Sequence, residues 1–156
     1  MSQMEVEKMK SLLEYRLLKS NETYHSIYHY ESIDLDQVLA RRECEFFVKE
    51  GVTYKQRSSA IEDDIHVIYV DEYEHAPKEE KESDSEYLTL EVRELNSYRN
   101  HPLLTLKSFS NHLEVLSYLG AVYTYFNGQE WERDSAEIDE DRKVYVLYVT
   151  ETGVKY

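Results

Sequence analysis

Histidine and carboxylate side chains at short spacing are the first place to look for chemistry in this 156-residue chain. His25, His29 and Glu31 fall on one face of an alternating stretch, a soft spacing for a metal site. Alternate strand positions hold His25 and His29 too far apart to share an ion without ligands from a second strand. A partly exposed polar face accounts for them as well. The acidic run Ile138-Asp139-Glu140-Asp141, with its echo Ile61-Glu62-Asp63-Asp64, carries oxygen ligands suited to a hard cation. Neither run has the alternating ligands and central glycine of a calcium-binding loop, and both read as solvated turns between strands.

The remaining motifs of enzymes and cofactor proteins are missing. The chain has four glycines, Gly51, Gly120, Gly128 and Gly153, and none are clustered. That excludes the glycine-rich phosphate loops of nucleotide and dinucleotide sites, which need close backbone approach. A single cysteine, Cys44, rules out cysteine-based zinc sites and an intramolecular disulfide, and fits a reducing compartment. There is no His-Glu-x-x-His pair and no Gly-x-Ser-x-Gly elbow. No catalytic residue, metal or cofactor is therefore assigned.

Two features of composition point elsewhere. Thirty-two acidic residues against 18 basic ones give a net charge of −14, a field that repels nucleic acid and anionic membrane and favours basic partners. Fifteen tyrosines exceed what a small core needs, and tyrosine is enriched where proteins meet partners or ligands. The expectation is a non-catalytic, intracellular acidic protein that binds or regulates a protein partner. Tyr24, Tyr28 and Tyr30 would supply contact, and Glu130, Glu132 and Asp134 would steer a basic surface. A second copy of the chain is an alternative occupant. The other readings are a small-ligand receptor with an aromatic cleft between repeats and, last, an enzyme. The N-terminal Met1-Ser2-Gln3-Met4-Glu5-Val6-Glu7-Lys8 has no apolar leader core, and the expected location is cytoplasmic.

These side chains must be positioned by elements that the sequence states twice. Shifting the chain by 77 residues superposes Val38-Leu39 on Val115-Leu116, Gly51 on Gly128, Tyr54 on Trp131, Ser58 on Ser135 and Ile61 on Ile138. A two-residue insertion then aligns Val67-Ile68-Tyr69-Val70 with Val146-Leu147-Tyr148-Val149. The pattern predicts an α+β protein made by tandem duplication of a ββαβββ unit. Each unit would form an antiparallel sheet covered by one short helix, the two related by a pseudo-twofold. The first repeat spans 1–75, an acidic linker 76–86 and the second repeat 87–156.

The first unit opens on a short helical lead-in before Lys10 that gives way to a strand, and Tyr24–Glu31 alternates as its second strand. Asp34-Leu35-Asp36-Gln37 and Asn111-His112-Leu113-Glu114 fit helix starts of capping-box type. Gly120 ends the second helix, where a left-handed residue is expected. Glu50-Gly51 and Asn127-Gly128 predict two-residue hairpin turns. Alternation places Cys44, Phe46, Val48 and Tyr54 inward, with Ala121, Tyr123, Tyr125 and Trp131 in the second copy. The opposite face is basic in one copy (Lys55, Arg57) and acidic in the other (Glu132, Asp134). The apolar strands Ile65–Glu72 and Val144–Glu151 read as central, covered on both faces.

Overall fold

The computed structural model describes residues 10–75 and 88–155; the lead-in before Lys10 and the linker 76–86 lie outside them. Ten strands and two short helices form a mixed α+β architecture. The strands are β1 (Lys10–Leu18), β2 (Tyr24–Asp34), β3 (Phe46–Lys49), β4 (Val52–Glu62) and β5 (Ile65–His75), then β6 (Leu88–Glu94), β7 (Leu103–Phe109), β8 (Tyr123–Phe126), β9 (Gln129–Asp139) and β10 (Val144–Lys155). Helix α1 (Leu35–Arg42) follows β2 and α2 (His112–Leu119) follows β7.

One sheet, not two, carries all of them. Its order is β2-β1-β5-β4-β3-β9-β10-β6-β7, with β8 paired to the first residues of β9 on the same edge that β3 takes further along. The expectation of purely antiparallel sheets is corrected by three parallel pairings, β1 with β5, β6 with β10 and β3 with β9. Each of the first two needs a crossover, and the helix-bearing connection supplies it. The order β2-β1-β5-β4-β3 recurs as β7-β6-β10-β9-β8, with the same sense at every pairing.

Both helices lie on one face, here called inner. Val38 and Ala40 of α1, and Val115 and Leu119 of α2, are fully buried against Leu13, Tyr15, Ile68, Leu90, Val92 and Leu147. Central β5 and β10 also bury Val67 and Val146 on the outer face. Caps differ between the helices. Asn111 Oδ1 accepts from the Glu114 N–H, 2.9 Å, while Glu114 accepts from the Asn111 amide and the Ser110 hydroxyl. Asp34 makes no side-chain cap, because its carboxylate takes Lys10 Nζ at 2.6 Å instead. Gly120 has φ −89°, so the left-handed C-terminus expected there is not formed.

The turns are the most locally determined parts. Glu50-Gly51 and Asn127-Gly128 both have positive φ throughout, as a two-residue type I′ turn demands, and Asp63-Asp64 forms a third such turn. These turns also correct the inward set. A two-residue turn pairs Phe47 with Tyr54 and Thr124 with Trp131, and directly opposed residues share a face. Phe47 therefore points inward with Tyr54, while Phe46 leaves for the outer face and meets Tyr73, ring centroids 5.2 Å apart. Val48 is buried on that outer face too. In the second half Tyr123 and Tyr125 are exposed, and Phe126 stacks on Trp131 at 5.7 Å in their place.

Candidate functional site

The two halves join where β3 runs parallel to the end of β9, pairing Phe46–Val48 with Glu137–Asp139. The acidic run beyond β9 completes this seam. Glu140 accepts from Arg41 Nη2 at 2.9 Å, Lys49 Nζ at 3.0 Å and the Tyr30 hydroxyl at 2.5 Å. Arg41 is only 3% exposed and also donates to the Tyr15 hydroxyl and to Gln37. Asp141 accepts from the Glu50 and Gly51 backbone N–H groups at the tip of the β3–β4 turn. Burial alone would raise the Glu140 pKa, but the Arg41 charge and the three donors outweigh it and lower it. At the other end of the seam, Arg133 of β9 donates to both carboxylate oxygens of Glu45, 2.8 and 2.7 Å. The acidic turn read as solvated is thus a clasp between halves.

Tyr28 and Tyr30 belong to this packing. Tyr15 stacks on Phe47 at 4.0 Å, the Arg41 guanidinium lies 4.8 Å from the Tyr30 ring centre, and Lys49 covers Tyr28 at 4.8 Å. Tyr24 does not share their face. The β1–β2 register slips between Tyr15 and Arg16, so Tyr24 crosses to the outer side and packs on Tyr69 at 4.5 Å. The three tyrosines singled out from sequence are therefore divided between the clasp and the opposite face.

The outer face near the seam holds a cleft of about 550 Å³, to which both halves contribute. Val48, Thr53 and Glu74 line one wall; Arg93, His101, Glu137 and Tyr148 line the other. The two arginines beneath are already matched. Arg142 donates to both oxygens of Glu91 (2.8 and 3.0 Å) and to Asp139 (3.1 Å), and Arg93 donates to Glu91 at 2.9 Å. Glu137 is different: no described residue donates a hydrogen bond to it. Burial, reinforced by the carboxylates of Asp139, Glu91 and Glu74 against the opposing Arg142, pushes its pKa up to about 7. His101 Nδ1 accepts from the Asn96 N–H at 2.9 Å, so a neutral ring carries its proton on Nε2, and the ring meets Tyr148 edge-on at 5.4 Å. Asn100 and His101 both adopt left-handed backbone, φ 54° and 48°, at the end of a connection longer than its counterpart in the first half.

The β8–β9 hairpin carries the second concentration of binding groups. Cross-strand pairing sets Tyr123 beside Glu132 and Tyr125 beside Glu130 on the outer face. Tyr123 and Tyr125 are 51% and 54% exposed, and the Tyr125 hydroxyl donates to Glu130. Glu132 and Asp134 are exposed as well. The acidic residues expected from sequence are thus brought together with aromatic surface, but the tyrosines beside them are Tyr123 and Tyr125. Parity across the Asn127-Gly128 turn carries that information, since Trp131 inward puts Tyr123 and Tyr125 outward. Glu137 was overlooked, although a carboxylate inside a strand that loses both edges to neighbours is a recognisable signal.

His25 and His29 stand exposed on edge strand β2. Among the described residues no three His, Cys, Asp or Glu side chains are grouped to hold a metal ion. Burial pushes the Cys44 thiol well above its ordinary range. Among the described residues no helix is long and apolar enough to cross a membrane. Comparison with protein-family models, curated proteins and solved structures finds no match to this chain.

Proposed function

We propose that this chain is a non-catalytic cytoplasmic protein that recognises a basic segment of a protein partner on the outer face of its β8–β9 hairpin. The observation that carries the reading is the interleaving of two half-exposed tyrosine rings with Glu130 and Glu132 on one face. Tyrosine offers contact area at small entropic cost, and carboxylates beside it attract lysine and arginine. The net charge of −14 extends that attraction beyond the contact itself. The same field disfavours direct nucleic-acid binding.

We read the halves 1–75 and 87–156 as copies of one ββαβββ unit related by a pseudo-twofold, with 76–86 as the linker. The 77-residue sequence echo and the shared strand order support this. A second reading, a small-ligand receptor, is favoured by the cleft between the halves. Glu137, to which no described residue donates, and His101, which lines the same cleft, suit a small polar molecule bearing a protonated amine. No cofactor or metal is invoked in either reading.

Titration calorimetry with lysine- and arginine-rich peptides at about 20 and 300 mM salt tests the first reading, spanning Debye lengths of roughly 20 to 6 Å. Binding that weakens with salt and falls at least tenfold in the Tyr123→Ala/Tyr125→Ala variant is expected. Binding that ignores both tyrosines would end this reading. Capture of partners from native cytosol at the two salt concentrations then identifies the target.

A further inference from the structure

The outer face carries two related sets of polar side chains, one in each half, and only one of them is closed. In the first half Arg16 Nε donates to Glu14 at 3.0 Å, and its Nη1 donates to Glu62 at 3.1 Å and to the Tyr69 hydroxyl at 3.4 Å. Tyr69 in turn donates to Glu62, and Tyr24 covers its ring. The tyrosine hydroxyl there is held from both sides. Sheet pairing sets Glu91, Arg93, Asp139 and Tyr148 at the corresponding places of the second half.

Changes at those places release the second set. Asp139 is one methylene shorter than Glu62, and the turn after it is two residues longer, 140–143 against 63–64. That turn brings Arg142, which takes Asp139 and both oxygens of Glu91. The Tyr148 hydroxyl is left without a hydrogen-bond partner among the described residues, and burial close to the Glu137 carboxylate keeps its proton in place. Glu137 stands where the first half has Ala60, and His101 meets the Tyr148 ring as Tyr24 meets that of Tyr69. Arg93 keeps its bond to Glu91 and turns Nη1 to the His101 carbonyl, and no described residue accepts from its Nη2. The Nδ1 of His101 is taken by the Asn96 N–H, and no described residue pairs with Nε2. Arg93, His101, Glu137 and Tyr148 all line the cleft of about 550 Å³, inside the roughly 300–1,000 Å³ of small-ligand sites.

We propose that this cleft binds a free amino acid as its zwitterion, with the ammonium on Glu137 and the carboxylate on Arg93 Nη2, His101 Nε2 and the Tyr148 hydroxyl. Pairing puts Glu137 and Arg93 on the outer face two strands apart and one step along, with Tyr148 on the strand between them. Strand spacing then sets their Cα atoms about 12 Å apart. An amino acid carries its nitrogen and carboxylate oxygen about 3 Å apart, and a hydrogen bond at each end extends that to about 9 Å. The two side chains close the remainder. An acceptor without a donor meets the amine, and donors without acceptors meet the acid, so each end of the ligand finds its opposite. Glu74, across the cleft, adds negative charge at the amine end. The inference rests on the small-ligand reading of the cleft and narrows the ligand from any amine to one that also carries a carboxylate.

Calorimetric titration of the full chain with the L-amino acids one at a time, at pH 8 where Glu137 is mostly ionised, tests the assignment. At least one should bind with Kd below about 1 mM, and its N-acetyl derivative and its decarboxylated amine should each bind at least tenfold more weakly. Tyr148→Phe, which removes a hydroxyl that holds nothing in the fold, should melt with the parent and weaken binding at least threefold. Glu137→Gln should weaken it at least tenfold, whereas Tyr69→Phe, the corresponding change in the first half, should leave it unchanged. No binding by any amino acid up to about 10 mM overturns the proposal, and so does binding indifferent to Glu137→Gln and Tyr148→Phe. An amine that binds as tightly as its amino acid also overturns it, while the small-ligand reading then stands. Failure of amines and amino acids alike removes both.

Discussion

Glu137 gives the sharpest quantitative test of the cleft. Its carboxyl is held near pKa 7 against an ordinary value of 4.5, because the folded protein buries it beside Asp139, Glu91 and Glu74. A raised acid is neutral in the fold and ionised in the unfolded chain between these two values. The unfolded chain therefore binds fewer protons there, and stability falls as pH rises from about 4.5 to 7, with the full loss present above 7. At 1.36 kcal/mol per pH unit, the difference corresponds to about 3 kcal/mol. Glutamine mimics the neutral acid in shape, so Glu137→Gln should match the parent at pH 4.5 and exceed it by about 2–3 kcal/mol at pH 8. For a chain of this size that is roughly 5–12 °C in melting temperature. Thermal melts of both proteins every half unit from pH 4.5 to 8.5 give the measurement. Two curves separated by the same interval at every pH would refute the reasoning, since a packing change has no titration. A bound amine should reverse the effect, drawing the carboxyl toward ionisation and releasing a proton detectable as a buffer-dependent binding enthalpy.

Glu140→Ala should cost about 3–5 kcal/mol in urea denaturation, because it strands the buried Arg41 guanidinium without its carboxylate. Glu140 has the opposite sign to Glu137: its pKa is lowered, so its contribution is complete above the unfolded value and lost as pH falls through the lower folded one. Cys44 should resist alkylation in the native protein at pH 7.5 and react only after unfolding, since its thiol is fully enclosed and hard to ionise. Gly51→Ala should lose roughly 1 kcal/mol through its φ of +77°, although its added methyl meets nothing within 4 Å. Expressed alone, 1–80 and 84–156 should each melt well below the whole chain, because separation uncovers the β3 and β9 edges and breaks the Arg133–Glu45 pair.

Local chemistry in the sequence was enough to set the hairpin turns, the two helices and the central strands. Asn127-Gly128 and Glu50-Gly51 choose positive φ without help from distant residues, and apolar runs such as Val67–Val70 seek cover on both faces. In the sheet the order β2-β1-β5-β4-β3 recurs as β7-β6-β10-β9-β8. The sites were harder to read because they depend on pairings between residues far apart in the chain. Tyr24 parts from Tyr28 through a register slip set by the partner strand, and nothing in Tyr24–Glu31 itself encodes that slip. Tyr30 looks available for a partner until Arg41 and Glu140, from a helix and a turn 110 residues away, enclose it. Glu137 is an unremarkable strand carboxylate until β3 runs alongside and removes its water. The fold's pieces follow from backbone preference and periodicity, which act over a few residues. Burial and the electrostatics that follow from it are properties of whatever the sheet brings alongside, and only the tertiary structure decides them.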